Sequence, residues 1–333
     1  MTSSLRSENR DPFDETCDKY REVIPTLPRE KGWMTDFLFN YQGVWLTTSG
    51  LKGTMMVQTH FSALPTDILL ATSPKSGTTW LKALIFAVVN RRRFNFSTHP
   101  LLTNGPHDCV PFLEAIIAQK NLINPSSSQR LLATHIPYPL LPPSVRSSGC
   151  RVVYLYRNPK DVLVSSWYYM TKLRPKELPP LSLEQAFDLF SRGVSHFGPF
   201  WDHALGYWKE SLESPEKVLV LAYEDFKMEP CVHAKRLAEF LRCPFSCEEE
   251  EQGTVQEIVR LCSFENLSNL KVNKTGLQQF TPHLAVENRN FFRKGEVGDW
   301  KNHLTDEMSE HLDQITEEKF RDTGLIFHVP QKP

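Results

Sequence analysis

The residues best suited to bind an anion lie at positions 73–80, between an apolar run typical of a strand and one typical of a helix. In order they are Ser73, Pro74, Lys75, Ser76, Gly77, Thr78, Thr79 and Trp80. The first N–H groups of a helix lack intrahelical partners, and the helix dipole favours negative charge there. The lysine supplies a cation, the glycine lets the backbone approach a phosphate, and the threonine hydroxyls are further donors. The run predicts a phosphate-binding loop.

The order of residues in this loop differs from that of nucleoside triphosphatases. Their loop reads G-x-x-x-x-G-K-[ST], with the lysine after the glycine, whereas Lys75 precedes Gly77 by two positions. A plain strand-to-helix turn with a Ser/Thr cap is therefore an alternative reading of the loop alone. The rest of the chain has to distinguish the two.

Three more apolar runs end in residues that could do chemistry. They cover residues 130–134, 150–156 and 217–223, and the side chains at their ends are His135, Arg157 and Tyr223. Apolar runs that alternate with helical patterns predict a parallel sheet covered by helices on both faces. Because ligands bind at the carboxyl ends of such strands, these side chains and Lys75 are expected to surround one site. The predicted fold is a single α/β domain.

Composition excludes several classes of function. The 38 basic and 39 acidic residues among 333 nearly cancel, so extensive nucleic-acid binding is not expected. The longest apolar run, residues 80–89, is about half the ~20 residues that a membrane span needs. The seven cysteines show neither C-x-x-C pairs nor cysteine–histidine clusters, so no metal site is expected. Residues 1–20 are predicted to be a disordered tail and residues 21–330 the folded domain, in the cytoplasm because the polar start resembles no secretion signal.

Together these segments resemble the cytosolic sulfotransferase family over about residues 28–325. The resemblance is carried by three motifs in order: residues 74–80, the run Tyr156-Arg157-Asn158-Pro159-Lys160-Asp161 with Ser165, and Arg293-Lys294-Gly295 with Gly298-Asp299-Trp300. The flanking runs at 27–33, 199–201 and 261–267 are most similar to the plant soluble branch, which includes flavonol sulfotransferases. The family transfers a sulfuryl group from 3'-phosphoadenosine 5'-phosphosulfate (PAPS) to a hydroxyl or amine.

The resemblance implies a role for each motif. Lys75, with the loop N–H groups and the hydroxyls of Thr78 and Thr79, would stabilise the leaving oxygen during in-line transfer. His135 would accept the proton of the acceptor hydroxyl. The 3'-phosphate would be held by Arg157, Ser165, Arg293, Lys294 and Gly295, and the adenine would contact Trp80, Tyr223 and Phe264. Ser165 would also engage Lys75 before the acceptor arrives, and no divalent metal is required.

Two positions depart from the family pattern. The family often has a lysine two residues before the histidine, where this chain has Ala133, so help from that cation is not expected. Animal members often dimerise through K-x-x-x-T-V-x-x-x-E, and the equivalent run at 301–310 has Asp306 in place of the valine. A carboxylate suits a small dry interface poorly, which favours a monomer.

The acceptor is the open question. Four aromatic residues, Trp45, Phe112, Tyr138 and Tyr169, are predicted to line a pocket for a planar or apolar hydroxylated molecule. The plant branch uses flavonoids, brassinosteroid-like sterols, hydroxyjasmonates and desulfoglucosinolates, and a flavonol or another phenolic is preferred here. The alternative classes are a nucleotide kinase, disfavoured by the loop and by the lack of a clear magnesium carboxylate, and a non-catalytic nucleotide-binding protein, disfavoured by His135.

Overall fold

The computed structural model describes residues 11–119, 129–281 and 284–327. The strands within these ranges are β1 (Arg29–Lys31), β2 (Phe37–Tyr41), β3 (Val44–Leu46), β4 (Ile68–Thr72), β5 (Leu131–Thr134), β6 (Arg151–Tyr156), β7 (Val218–Ala222), β8 (Leu277–Thr281) and β9 (Leu284–Glu287). The α-helices are α1 (Pro12–Val23), α2 (Thr48–His60), α3 (Thr78–Asn90), α4 (Pro106–Cys109), α5 (Leu113–Ala118), α6 (Pro143–Ser147), α7 (Pro159–Leu173), α8 (Leu183–Ser191), α9 (Phe200–Glu213), α10 (Tyr223–Met228), α11 (Pro230–Phe240), α12 (Cys247–Glu251), α13 (Thr254–Leu261), α14 (Phe264–Asn269), α15 (Lys271–Thr275) and α16 (Asp306–Phe320). The 3-10 turns are Ile24–Thr26, Phe96–Thr98, Pro100–Leu102, Tyr138–Leu140, Asn288–Phe291 and Asp299–Asn302.

Four strands form a fully parallel central sheet in the order β5-β4-β6-β7. All five residues of β4 are buried, as continuous apolar strands covered on both faces should be. The strands predicted at 130–134, 150–156 and 217–223 agree with β5, β6 and β7 to within one residue at each end. The predicted α/β fold with a central parallel sheet is confirmed, and the carboxyl ends of all four strands lie at one edge.

Helices cover both faces of this sheet because successive side chains of a strand point to opposite sides. On β4, Leu69 and Ala71 belong to one hydrophobic cluster with residues of α2, α7, α9 and α16. Their neighbours Ile68 and Leu70 belong to a second cluster with residues of α3, α11 and α13. The central sheet is thus packed between two hydrophobic layers, which fix the positions of the residues at its strand ends.

The prediction of a disordered tail through residue 20 is wrong for residues 12–20, which lie in α1. Asp11 caps this helix by accepting from the Phe13 N–H at 3.0 Å, and Pro12 occupies its first turn, where a missing N–H costs nothing. The Phe13 ring stacks on His60 of α2 at 4.0 Å between ring centroids. Packing of this apolar face on the core orders a segment that looks polar in sequence. Residues 1–10 of the predicted tail lie outside the described residues.

Two antiparallel sheets complete the strand structure. Strands β1, β2 and β3 form one in that order, and β8 pairs with β9 in the other. In the described ranges no helix is both long enough and apolar enough to cross a membrane.

Candidate active site

The loop between β4 and α3 is shaped by two residues with positive φ. Lys75 has φ 68° and Gly77 has φ 105°, and the left-handed region is uncommon for a lysine. A Cβ on Gly77 would come within 2.8 Å of the Tyr223 ring. The glycine is therefore required both by its backbone angle and by the close approach of Tyr223 from the end of β7. Thr78 then begins α3, so the N-terminus of this helix faces the loop.

Lys75 is half-buried, and its ammonium group lies among other cations. Its Nζ is 3.9 Å from the centre of the Tyr169 ring. Burial, with the nearby charges of Arg293, Arg157 and Lys172, lowers the pKa of Lys75 to about 7. The expected contact of Ser165 with Lys75 is not made in the described structure, because the amine lies over the tyrosine face instead. A lysine held this way would be restored to its charged form by an incoming anion.

His135 follows β5 and is held in one tautomer. Its Nδ1 lies 2.7 Å from the carbonyl oxygen of Thr72, which only accepts hydrogen bonds, so Nδ1 carries the proton. The Nε2 lone pair is left for a substrate. Chiefly because of burial, the pKa of His135 falls to about 3, and the charges of Lys82, His203 and Lys75 act in the same direction. The ring is therefore neutral at pH 7, as a general base must be.

Side chains from α5 and α9 also hold the backbone of His135. Glu114 accepts from the His135 N–H at 3.0 Å. His203 donates from Nε2 to the His135 carbonyl oxygen at 3.0 Å, and the Tyr154 hydroxyl donates to the other nitrogen of His203 at 2.9 Å. Burial raises the pKa of Glu114. These contacts, none of them predicted from the sequence, place the imidazole accurately.

A second group of cations lies where β6 ends and where the loop at residues 293–300 approaches it. Arg157 donates to the Glu296 carbonyl oxygen at 2.5 Å and pairs with Asp161 at 3.3 Å. Arg293 and Lys294 both pair with the buried carboxylate of Asp299. Asp161 and Asp299, the acidic residues of the second and third motifs, thus tie the two motifs' cations in place.

Two donors in this second group have no partner within the described structure. They are the buried Nε atoms of Arg157 and Arg293. Buried donors are rarely left unpaired, because each costs about 1–3 kcal/mol. Since guanidinium groups match the oxygens of a phosphate, the two arginines fit an anion separate from the one that the Lys75 loop would bind.

An aromatic group lies between these two cationic regions. The Tyr223 hydroxyl donates to the Gly295 carbonyl oxygen at 3.1 Å, and the Tyr223 ring meets Trp80 edge-on at 5.4 Å. Gly295 has φ 66°, and a Cβ there would meet the Phe264 ring at 2.5 Å. The arrangement leaves aromatic faces suited to a flat base.

One cavity of about 770 Å³ brings nearly all predicted residues together. The predicted residues that line it are Lys75, Gly77, Thr78, Thr79, Trp80, Phe112, His135, Arg157, Ser165, Tyr169, Tyr223, Phe264, Arg293, Lys294 and Gly295. Ser76 does not line it within the described chain, since its side chain is fully buried under the loop. No group of three His, Cys, Asp or Glu side chains in the described residues is arranged to hold a metal ion.

Two of the four predicted pocket aromatics lie elsewhere. Tyr138 is buried against Tyr207, 5.3 Å between ring centroids, and Trp45 lies in β3, where its backbone pairs with Gly198. Among the described residues, neither contributes to the cavity. The prediction for Trp45 and Tyr138 is wrong because aromatic character does not say which way a side chain faces.

The sequence did not predict many of the residues that line the cavity, among them Phe280, Phe291, His107 and Glu114. Phe280 and Phe291 lie 6.0 Å apart, and each also packs against His107. His107 follows Gly105-Pro106 without any periodic signal, and Glu114 lies in a short helix. A search for titratable residues within apolar segments could have found Glu114, but nothing in the sequence indicates that these residues share a cavity.

Comparison with known proteins identifies the family. A family model described as "Sulfotransferase domain" matches residues 65–324. The flavonol 4'-sulfotransferase of Flaveria chlorifolia is 47% identical over 310 residues, covering 92% of this chain and 96% of that protein. Cytosolic sulfotransferase 12 of Arabidopsis thaliana is 47% identical over 319 residues, covering 94% and 95%.

Solved structures of sulfotransferases have a similar fold. An Arabidopsis thaliana protein described as a candidate steroid sulphotransferase has a TM-score of 0.75 and 40% identity, covering 95% of this chain and 97% of that one. The mouse sulfotransferase SULT7A1, solved with PAP, has a TM-score of 0.65 and 26% identity, covering 86% and 95%. The predictions of a sulfotransferase fold and of a sulfotransferase enzyme are confirmed. The chain belongs to the sulfotransferase family.

Proposed function

We propose that this chain transfers the sulfuryl group of PAPS to a phenolic hydroxyl of a flavonoid-like acceptor. One observation carries the proposal: a single cavity contains both the cationic Lys75 loop and His135, a neutral base whose Nε2 is available. The relative from Flaveria chlorifolia is named for a flavonol. The mouse structure holds PAP, which supports PAPS as the donor.

The donor fits the residues at its end of the cavity. The unpartnered Nε atoms of Arg157 and Arg293 would receive the 3'-phosphate, together with Lys294, Ser165 and the Gly295 backbone. Lys75 and the hydroxyls of Thr78 and Thr79 would receive the phosphosulfate. The bound donor supplies the sulfuryl group and a phosphate leaving group. Lys75 would stabilise the charge that grows on the leaving oxygen, an effect commonly worth a factor of about 10² to 10³ in rate.

His135 would take the acceptor proton at Nε2. The Thr72 carbonyl oxygen holds the Nδ1–H, so the ring accepts the proton without rotating or changing tautomer. Thr72 also links the base to the loop, because its hydroxyl lies 2.7 Å from that of Thr78 and 3.3 Å from His135 Nδ1. The base and the leaving-group loop are thus fixed relative to each other.

The aromatic wall beside His135 favours a flat acceptor. The Phe112 ring lies 4.7 Å from His135 and 6.0 Å from Phe280, between ring centroids, and Phe291 lies beyond Phe280. Aromatic rings bind best to planar apolar molecules with a polar group at one edge. A sterol, hydroxyjasmonate or desulfoglucosinolate would use fewer of these ring contacts.

The other features of the proposal follow from the sequence. We propose a cytoplasmic monomer with no nucleic-acid or membrane partner and with no metal requirement. The near-balanced charge and Asp306 at the start of α16 support it, and one relative is named a cytosolic sulfotransferase. The folded domain would extend from α1 to about residue 330.

Turnover with radiolabelled PAPS tests the proposal. The purified chain is given a flavonol, a brassinosteroid, a hydroxyjasmonate or a desulfoglucosinolate, and transfer to the flavonol is expected to be fastest. Stabilisation against heat by adenosine 3',5'-bisphosphate (PAP) but not by ATP would exclude a kinase. Absence of transfer to every acceptor despite PAP binding would overturn the enzymatic proposal.

A further inference from the structure

The two adjacent threonines of the loop are each linked to a different histidine. Thr78 is connected through the Thr72 hydroxyl to His135, the proposed base. Thr79 lies 3.1 Å, from Oγ1 to Nε2, from His107, which lines the same cavity. The first link positions the proposed base, whereas the proposed transfer gives the second link no role.

The second link continues to a buried lysine. Lys82 Nζ lies 3.0 Å from His107 Nδ1, and its side chain has no exposed surface. The same nitrogen lies 3.3 Å from the centre of the Phe112 ring, a position that suits a cation. Lys82 is three residues after Thr79 on α3, so both side chains lie on one face of that helix. Burial lowers the Lys82 pKa, and the carboxyl groups of Glu114 and Asp108 oppose that effect.

We propose, on the basis of the function proposed above, that Lys82 and His107 are positioning residues that aim the Thr79 hydroxyl at the donor. Lys82 donates to His107 Nδ1, so the ring proton lies on Nε2 and is donated to Thr79 Oγ1. With that oxygen accepting, the hydroxyl proton of Thr79 is free to point into the cavity. In the reverse tautomer, His107 Nε2 would instead accept a hydrogen bond from the Thr79 hydroxyl, which could then no longer donate to the phosphosulfate.

This arrangement places a fully buried lysine, Lys82, near His135, where no second cation was expected. Ala133 lacks the cation that the family often has before the base, and the Phe112 backbone pairs directly with Ala133. Lys82 reaches the face of that same Phe112 ring from α3, and its charge acts on His135. A lysine of α3, and not one of β5, therefore lies near the base, and it contacts the loop through His107.

Nitrogen-15 NMR of the PAP complex tests the tautomer directly. The chain has 11 histidines, and the His107→Gln variant assigns the His107 signal by its loss. We expect protonated Nε2 and unprotonated Nδ1 in the native chain, and loss of this preference in Lys82→Met. Protonated Nδ1 in the native chain would overturn the proposal.

Kinetics test the consequence. Lys82→Met should lower kcat about 10- to 100-fold with little change in KM for PAPS, as is common when a supporting partner is lost. Combining it with Thr79→Val should cost no more than the larger single loss, because both remove the same donor. Additive losses would show that Lys82 does not act through Thr79.

Conservative and control variants separate positioning from packing. His107→Gln can still accept from Lys82 and donate to Thr79, so it should retain more activity than His107→Phe, which only fills the aromatic space. His99→Phe is the matched control, because His99 is equally buried but caps a turn through Leu101 outside the cavity. It should leave kcat unchanged. An equal loss of activity in His107→Gln and His107→Phe would show that His107 acts only by packing, which would overturn the positioning proposal.

The NMR result does not depend on turnover. If the native chain bound PAP but transferred sulfuryl to none of the acceptors, the proposed function would fail while the tautomer was still measured. If transfer occurred and the Lys82→Met variant kept full kcat, only the positioning proposal would fail.

Discussion

The donor end of the cavity is built from short contiguous motifs, whereas the acceptor end is assembled from separate segments. At the donor end, Arg157 and Tyr223 follow β6 and β7 directly, and Lys75 lies in the loop after β4. Arg293 joins them from one further loop. At the acceptor end, His135 follows β5, but Phe112, Phe280 and Phe291 come from distant parts of the chain. The two ends meet where Lys75 lies over Tyr169.

This difference reflects what each end has to recognise. Phosphate oxygens are recognised by N–H groups, helix termini and fixed cations, which need a defined backbone geometry. A planar apolar acceptor is recognised by shape and ring faces, which many combinations of side chains can provide. Variants at the two ends should therefore fail in different ways.

Removal of the base is expected to have the largest effect. His135→Ala should lower kcat about 10³-fold, within the range typical of a lost general base, while PAP binding measured by calorimetry stays unchanged. Retention of the native kcat would show that another group accepts the proton.

Removal of the leaving-group cation should come next and should affect both steps. Lys75→Met is expected to lower kcat about 10²- to 10³-fold and also to weaken PAP binding, because the same charge holds the 5'-phosphate. Loss of affinity alone, with full kcat at saturating PAPS, would assign Lys75 to binding only.

The second anion site can be tested by a nucleotide comparison. Arg293→Gln should weaken PAP binding about 10- to 100-fold, the value of a charge-assisted hydrogen bond of about 1.5–3 kcal/mol. Binding of 5'-AMP, which lacks the 3'-phosphate, should hardly change. A parallel loss for both nucleotides would contradict a 3'-phosphate role.

The number of protons taken up when PAP binds tests the charge state of Lys75. Because burial and neighbouring cations lower the Lys75 pKa to about 7, the free amine is largely neutral at pH 8. A bound anion raises that pKa again, so PAP binding at pH 8 should take up about 0.9 proton, falling towards zero at pH 6. Calorimetry in buffers of different ionisation enthalpy measures this number, and Lys75→Met should abolish the uptake.

The smallest change is expected at the acceptor end. Phe280→Ala should raise the acceptor KM about tenfold, the loss expected for one aromatic contact of about 1.5 kcal/mol, with KM for PAPS unchanged. Phe94→Ala, which removes a ring packed on Phe86 outside the cavity, is the matched control. An equal rise in both Michaelis constants would mean that the two ends are not separable.

Most of the donor end could be predicted from the sequence. The strand-end positions of Lys75, His135, Arg157 and Tyr223 follow from apolar runs that stop at polar residues, and parallel strands bring such ends to one edge. The second anion site was also predicted, through Arg293. The sequence did not predict how the two motifs meet. The Gly298 N–H donates to Asp161, and Arg157 donates to the Glu296 carbonyl oxygen, each across more than a hundred residues.

The acceptor end shows where sequence reasoning stops. Trp45 and Tyr138 were predicted for the pocket and lie outside it, while Phe280 and Phe291 were missed. An aromatic residue packs well in a core and in a pocket alike, so its type does not distinguish the two. The helix at 12–23 was missed for a related reason, since its apolar face has meaning only against α2.

The amino-acid sequence by itself determined the fold class, the sulfotransferase family and the position of the loop that we propose binds an anion, because these depend on local patterns and contiguous motifs. Only the tertiary structure decided which ring nitrogen of His135 carries the proton and which aromatic rings line the cavity beside it. It also decided that Lys82 reaches the loop through His107. Each of these depends on side chains from separate elements meeting within hydrogen-bond or ring-contact distance. Local patterns cannot specify such distances.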